Sequence, residues 1–181
     1  MRISVRGDSG GVQVRMHLDR QRWRWLTTRI LLAVSAAQGV VIGFWAVVLP
    51  HSFYEDFPGL GMHWIAADGP YNHHLTTDVG AFFLALGVVA AAAAYLNTGN
   101  AARLAGLGWL VFAVPHFLYH VTHHPTAMPT GSYVLSVIAT VLLAILATAV
   151  LVIAPRGAQL PDPDPINLRF RRRGTGARPA R

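Results

Sequence analysis

Four histidines fall close together in His116-Phe117-Leu118-Tyr119-His120-Val121-Thr122-His123-His124. On a helix, steps of three and four return to one face, so His116, His120 and either His123 or His124 form a column. Imidazole is a common ligand for zinc, copper and iron, and two such rings on adjacent turns can grip one ion. His74 and Asp78 are four apart on another apolar stretch and share a face in the same way. If the connection between these stretches turns near Gly99, Asp78 lies level with His120 and His74 with His124. The expected constellation is therefore His74, Asp78, His116 and His120, holding a transition metal (copper, zinc or iron) or a haem with His116 or His120 as axial ligand. His123 and His124 are weaker candidates, because Pro125 ends the helix beside them. Glu55, with Asp56, is a further acidic group able to complete a metal shell or act as a base. The structural alternatives are that Asp78 favours the positive end of a helix dipole and that His116 bonds between helices.

These residues are positioned by four apolar stretches. A hydrocarbon core about 30 Å thick needs roughly 20 helical residues. The sequence predicts spans at about residues 30–49, 79–96, 104–119 and 133–154. Asn97-Thr98-Gly99-Asn100 is turn chemistry and joins the second and third spans as a hairpin. Ser35-Ala36-Ala37 resembles a cleavage site, but the apolar run continues to Leu49, which predicts an uncleaved helix. The second helix is expected to begin with Asp68 as N-cap and to run through Pro70. All fifteen basic residues are arginine: seven precede residue 30, seven follow Pro155, and Arg103 lies at the hairpin turn. The positive-inside rule then places both termini and that turn in the cytoplasm. Eight of the nine histidines sit at or near the opposite face.

The fold class predicted is thus all-α: a polytopic four-helix transmembrane bundle with cytoplasmic termini. Residues 1–29 form an Arg-rich cytoplasmic segment, 30–154 the membrane domain and 155–181 a disordered Arg- and Pro-rich tail. In that tail Arg169, Arg171, Arg172 and Arg173 are expected to meet anionic lipid. A hydrophobic content of 53% with 13% charged residues is too apolar for an ordinary soluble domain. The net charge of +7 flanks apolar spans, which favours a lipid bilayer over nucleic acid as partner. With no cysteine, thiolate ligands and disulfides are excluded. The arginine, alanine and glycine usage points to a bacterial plasma membrane protein. Gly39 and Gly43 make a small-xxx-small pair that implies a compact bundle and also suits a homo-oligomer; a membrane-complex partner is the other expectation. The long connection from His51 to Thr77 is rich in aromatic residues, which predicts a cap folded onto the bundle over a pocket for a small apolar molecule.

The segment Asp78-Val79-Gly80-Ala81-Phe82-Phe83-Leu84-Ala85-Leu86-Gly87, after Gly69-Pro70-Tyr71-Asn72, resembles the second-helix pattern of small DoxX-like four-helix membrane proteins. The resemblance covers about residues 30–154 and implies that fold. It carries over no catalytic residue. The His-x-x-x-His and His-x-x-His-His elements also resemble membrane desaturases, but here they fuse around His120 and lie on the opposite side of the membrane from that family's iron. Three functions follow as expectations: a binding or redox protein with a His/Asp metal or haem site, a structural or accessory subunit without cofactor, and a quinone-linked or metal-dependent enzyme.

Overall fold

Each of the four apolar stretches is a helix long and apolar enough to cross a membrane. The computed structural model describes residues 2–8, 11–17, 22–156 and 165–169. In chain order these form strands β1 (Arg2–Asp8) and β2 (Gly11–His17), helices α1 (Arg22–Val48) and α2 (Pro50–Asp56), strands β3 (Pro58–Gly59) and β4 (Met62–His63), helices α3 (His73–Leu96), α4 (Gly99–Thr122) and α5 (Thr130–Ile153), and strand β5 (Ile166–Arg169). The chain is a multi-pass membrane protein built as a four-helix bundle from α1, α3, α4 and α5. Every span begins earlier than its predicted apolar run, because a helix started in hydrocarbon keeps its hydrogen-bond ladder through flanking polar residues until a cap or proline intervenes.

The ends have local causes. The helix α3 begins at His73, not near Asp68, because Asn72 supplies the cap: its side chain accepts from the Leu75 amide at 3.0 Å. It stops at Asn97, whose left-handed backbone (φ 51°) closes the helix, and Thr98 caps α4 by accepting from Ala101 N at 3.3 Å. The predicted turn is thus present. Pro50 opens α2 directly after α1, and the short β3–β4 hairpin turns through positive φ at Gly59, Leu60 and Gly61.

Glycine sets how closely α1 and α3 approach. A Cβ on Gly39 would lie 2.6 Å from Gly87 Cα, and one on Gly43 would lie 2.7 Å from the Gly80 oxygen. From the other side, a Cβ on Gly80 would lie 2.7 Å from Ala46 Cβ, and one on Gly87 2.7 Å from Val40 N. The small-xxx-small pair is therefore used within the bundle, between α1 and α3. Gly106 does the same against α5, where its Cβ would meet Val150 Cγ1 at 3.0 Å. Between the helices lie Leu32, Phe83, Trp109 and Leu143 with a row of buried alanines.

Two arginines tie three chain segments together. Arg24 of α1 donates from Nε to the Ile153 carbonyl at 2.9 Å and from Nη2 to Val152 O at 3.0 Å and Ala154 O at 3.3 Å. Arg103 of α4 donates to the same Ala154 carbonyl at 2.6 Å. The last carbonyls of a helix have no intrahelical donor and carry its negative dipole end, so two guanidinium groups satisfy both needs. The start of α1, the α3–α4 turn and the end of α5 share this basic face.

The second compact unit is a three-stranded antiparallel sheet in the order β1, β2, β5, with Val5 opposite Val14 and Val14 opposite Ile166. The tail is therefore not wholly disordered: Ile166–Arg169 pairs with Gly11–Val14, because Ile166 and Leu168 alternate with polar residues at the period a strand requires. Of the arginines expected to meet lipid, Arg169 ends β5, whereas Arg171, Arg172 and Arg173 lie outside the described residues.

Candidate functional site

At the end of the bundle opposite Arg24 and Arg103, the helices diverge around a cavity of about 570 Å³. Its roof comes from the long connection. Trp45, Phe53, Phe57 and Trp64 form a chain of ring contacts with centroids 5.7, 4.9 and 5.9 Å apart, and Phe53, Phe57 and Trp64 line the cavity. Such edge-on aromatic packing buries large apolar area with defined geometry. Tyr54 donates to the Gly69 carbonyl at 2.7 Å, and His63 Nδ1 bonds the Glu55 carbonyl, so the hairpin and the segment leading to α3 are both held against α2. The aromatic loop is a cap, as its composition predicts.

The walls are mostly apolar: Ile42 of α1, Leu75, Val79 and Phe83 of α3, and Ala139 and Leu143 of α5. Polar groups enter at few points. Ser136 and Thr140 of α5 face it, but their hydroxyls already donate to the Tyr133 and Val137 carbonyls at 2.8 Å each. Gln38 of α1 contributes an amide from mid-span. At the distal end stand His116, Tyr119 and His120 of α4, together with Asp68.

The histidine column is real but short. The rings of His116 and His120 meet edge to face, 4.7 Å between centroids, and His116 stacks on Phe112 at 5.1 Å. Beyond them α4 ends at Thr122 and His123 is extended (φ −126°, ψ 106°), so the column stops at His120. His123 swings to Asp68, with Nε2 to Oδ1 at 3.1 Å. The other oxygen of Asp68 accepts from the Tyr119 hydroxyl at 2.9 Å. Asp68, expected as a helix cap, instead fastens the loop to the end of α4. His124 stacks on Tyr133 at 4.1 Å and reaches the Met128 carbonyl at 3.3 Å.

The predicted metal constellation does not assemble. His74 and Asp78 pair with each other at 3.3 Å, but they do so on the exposed side of α3, with side chains 88% and 51% accessible. The side facing the cavity carries Leu75, Thr76, Val79 and Phe83. Height along the paired helices was predicted from the turn, but the rotation of α3 about its own axis separates Asp78 from His116 and His120. Glu55 pairs with His51 at 3.5 Å, outside the cavity lining. Among the described residues, no group of three His, Asp or Glu is placed to hold a metal ion. His74 and Asp78 are therefore not gathered around one point with His116 and His120.

Gln38, Ser136 and Thr140 are site residues that sequence reasoning missed. The available signal was Gln38 itself, a lone amide within the apolar run 30–49. Four spans around a capped, lipophilic chamber define an integral membrane protein with an internal pocket. No family model, curated protein or solved structure matches the chain.

Proposed function

We propose that this is a bacterial plasma membrane protein that binds a lipophilic small molecule in the chamber between α1, α3, α4 and α5, with its basic face toward the cytoplasm. The observation that carries the proposal is the cavity of about 570 Å³, which lies within the roughly 300–1,000 Å³ typical of small-molecule sites. Its lining has the composition of such sites: apolar and aromatic walls with a few polar groups. Kinship with DoxX-like proteins, on the 78–87 pattern, belongs to the same proposal and concerns architecture alone.

Filling the chamber tests it. Thr140 is buried at 4% exposure on the α5 wall. Thr140→Trp is expected to lower the affinity of the detergent-purified protein for diphenylhexatriene by about tenfold or more, equivalent to about 1.4 kcal/mol. Ala139→Phe serves as an independent filling variant. Unchanged binding in both, with the parent's thermal midpoint, would leave an accessory subunit as the better description. Stoichiometric metal or a haem absorption band in the purified protein would also displace the proposal. For orientation, a fluorescent-protein reporter fused after Arg181 is expected to fluoresce and an alkaline phosphatase fused there to be inactive, the pattern of a cytoplasmic terminus. The reverse pattern would invert the bundle.

A further inference from the structure

The ionisable groups are not scattered through the chamber: Asp68, His116, Tyr119 and His120 stand together at its distal end. Neighbouring contacts give the order of residues along the chamber. Gln38 adjoins Gly39, which abuts Gly87 of α3. One turn further out, Phe83 meets Phe112 of α4 at 4.9 Å. His116 is one turn beyond Phe112, and His120 one turn beyond His116. Three such steps of four residues separate Gln38 from His120, roughly 18 Å at 1.5 Å per residue. The chamber is therefore long, with imidazoles at the distal end and Gln38 and Leu143 toward the middle of the membrane.

We infer that the chamber takes a single-chain lipophilic acid, its carboxyl at the His116–His120 pair and its tail directed toward Leu143 and Gln38. This rests on the binding role proposed above and names the ligand's chemical class. The head group follows from hydrogen-bonding capacity. Both rings line the cavity, and among the described residues neither nitrogen pair has a hydrogen-bond partner; their ring contacts are with each other, Phe112 and Tyr119, and Asp68 and His123 lie within electrostatic reach of His120. A neutral imidazole offers one donor and one acceptor, and a carboxylic acid offers the complementary acceptor and donor. An ester or ether can only accept from the pair. A protonated amine can only donate to it.

Charge at the chamber's mouth agrees. Asp68 is the carboxylate among the lining residues, and both its oxygens are engaged, one by the Tyr119 hydroxyl and one by His123. A second acid thus enters beside a carboxylate whose two oxygens are already hydrogen-bonded within the protein. Geometry supplies the tail. An amphiphile in the distal leaflet has its polar group at the boundary and its chain toward the midplane, the same sense as the direction from the ionisable groups at His120 to Leu143. Such a molecule enters without inverting. The chamber's volume suits one chain, which separates this ligand from a two-chain phospholipid.

The test is a competition series on the full chain in detergent, displacing the fluorescent fatty acid cis-parinaric acid with dodecanoic acid, methyl dodecanoate, dodecanol or dodecylamine. Dodecanoic acid is expected to compete about tenfold better than its methyl ester, as sites built around paired hydrogen bonds reject analogues lacking them. In His116→Phe/His120→Phe that advantage is expected to vanish. The single variant His120→Phe, at the less enclosed position, provides the same readout if the double variant does not fold. Equal competition by acid and ester, or an acid preference that survives the double variant, would overturn the assignment while diphenylhexatriene binding keeps the chamber's role intact. Loss of all binding, the hydrocarbon probe included, would remove both.

Discussion

Replacing Gly43 with valine is expected to lower the thermal midpoint of the purified protein by roughly 6 to 12 °C, the span implied by an overpacking cost near 3 kcal/mol in a chain of this size. A Cβ at Gly43 would stand 2.7 Å from the Gly80 carbonyl oxygen, well inside contact distance. Flexible side chains can turn away from an added methyl. Here the obstruction is the α3 backbone at Gly80 and Leu84, so relief requires α1 and α3 to separate along their whole contact, Gly39 against Gly87 included. Gly131→Ala is the matched control, since nothing lies within 4 Å of a Cβ there. It lies in the first turn of α5, where alanine is favoured over glycine by up to about 1 kcal/mol, so its midpoint should hold or rise. If Gly43→Val melts with the parent protein, the two helices tolerate separation and their close approach is not a determinant of the bundle.

The second large effect is expected at the basic face. Removing both guanidinium groups in Arg24→Ala/Arg103→Ala should cost more than the two single changes together. Each hydrogen bond to a charged group is worth about 1.5 to 3 kcal/mol, but the two arginines share the Ala154 carbonyl. In either single variant the remaining arginine still satisfies that oxygen. Only the double variant strips it, whereas the carbonyls of Val152 and Ile153 already lose their donor with Arg24 alone. Lysine at position 24 should rescue poorly, because one ammonium cannot reproduce a fork that addresses three carbonyls. Thermal midpoints of the four-member cycle provide the measurement. Additivity within about 0.5 kcal/mol would mean that the two sites act independently.

Spans, hairpin turn and cap were legible in the sequence because each has a one-dimensional signature: a run of apolar residues, the Asn97-Thr98-Gly99 cluster, and aromatic density between Phe53 and Trp64. What could not be read was rotation about helix axes. Spacing places Asp78 near the height of His120, yet only packing decides that Val79 and Phe83 turn inward and carry Asp78 outward. The same limit applied to Gly39 and Gly43, whose pattern describes a close contact without naming the helix that makes it. Two features were written in the sequence and overlooked. Ile3 and Val5, then Val12, Val14 and Met16, alternate with polar residues around Asp8-Ser9-Gly10-Gly11, which is hairpin grammar hidden by the arginines. Gln38 was hidden by its neighbours, a single neutral amide in a run otherwise read for hydropathy.

The glycine seam has a consequence for selectivity. With α1 and α3 in backbone contact, the deep end of the chamber near Gln38 and Phe83 cannot widen to admit a bulkier guest. Its roof is different: Phe53, Phe57 and Trp64 meet through side chains on a short helix and a hairpin, which can adjust by rotamer and loop movement. Guests should therefore be sorted stringently by tail branching and tail length, and leniently by what sits beneath the aromatic lid.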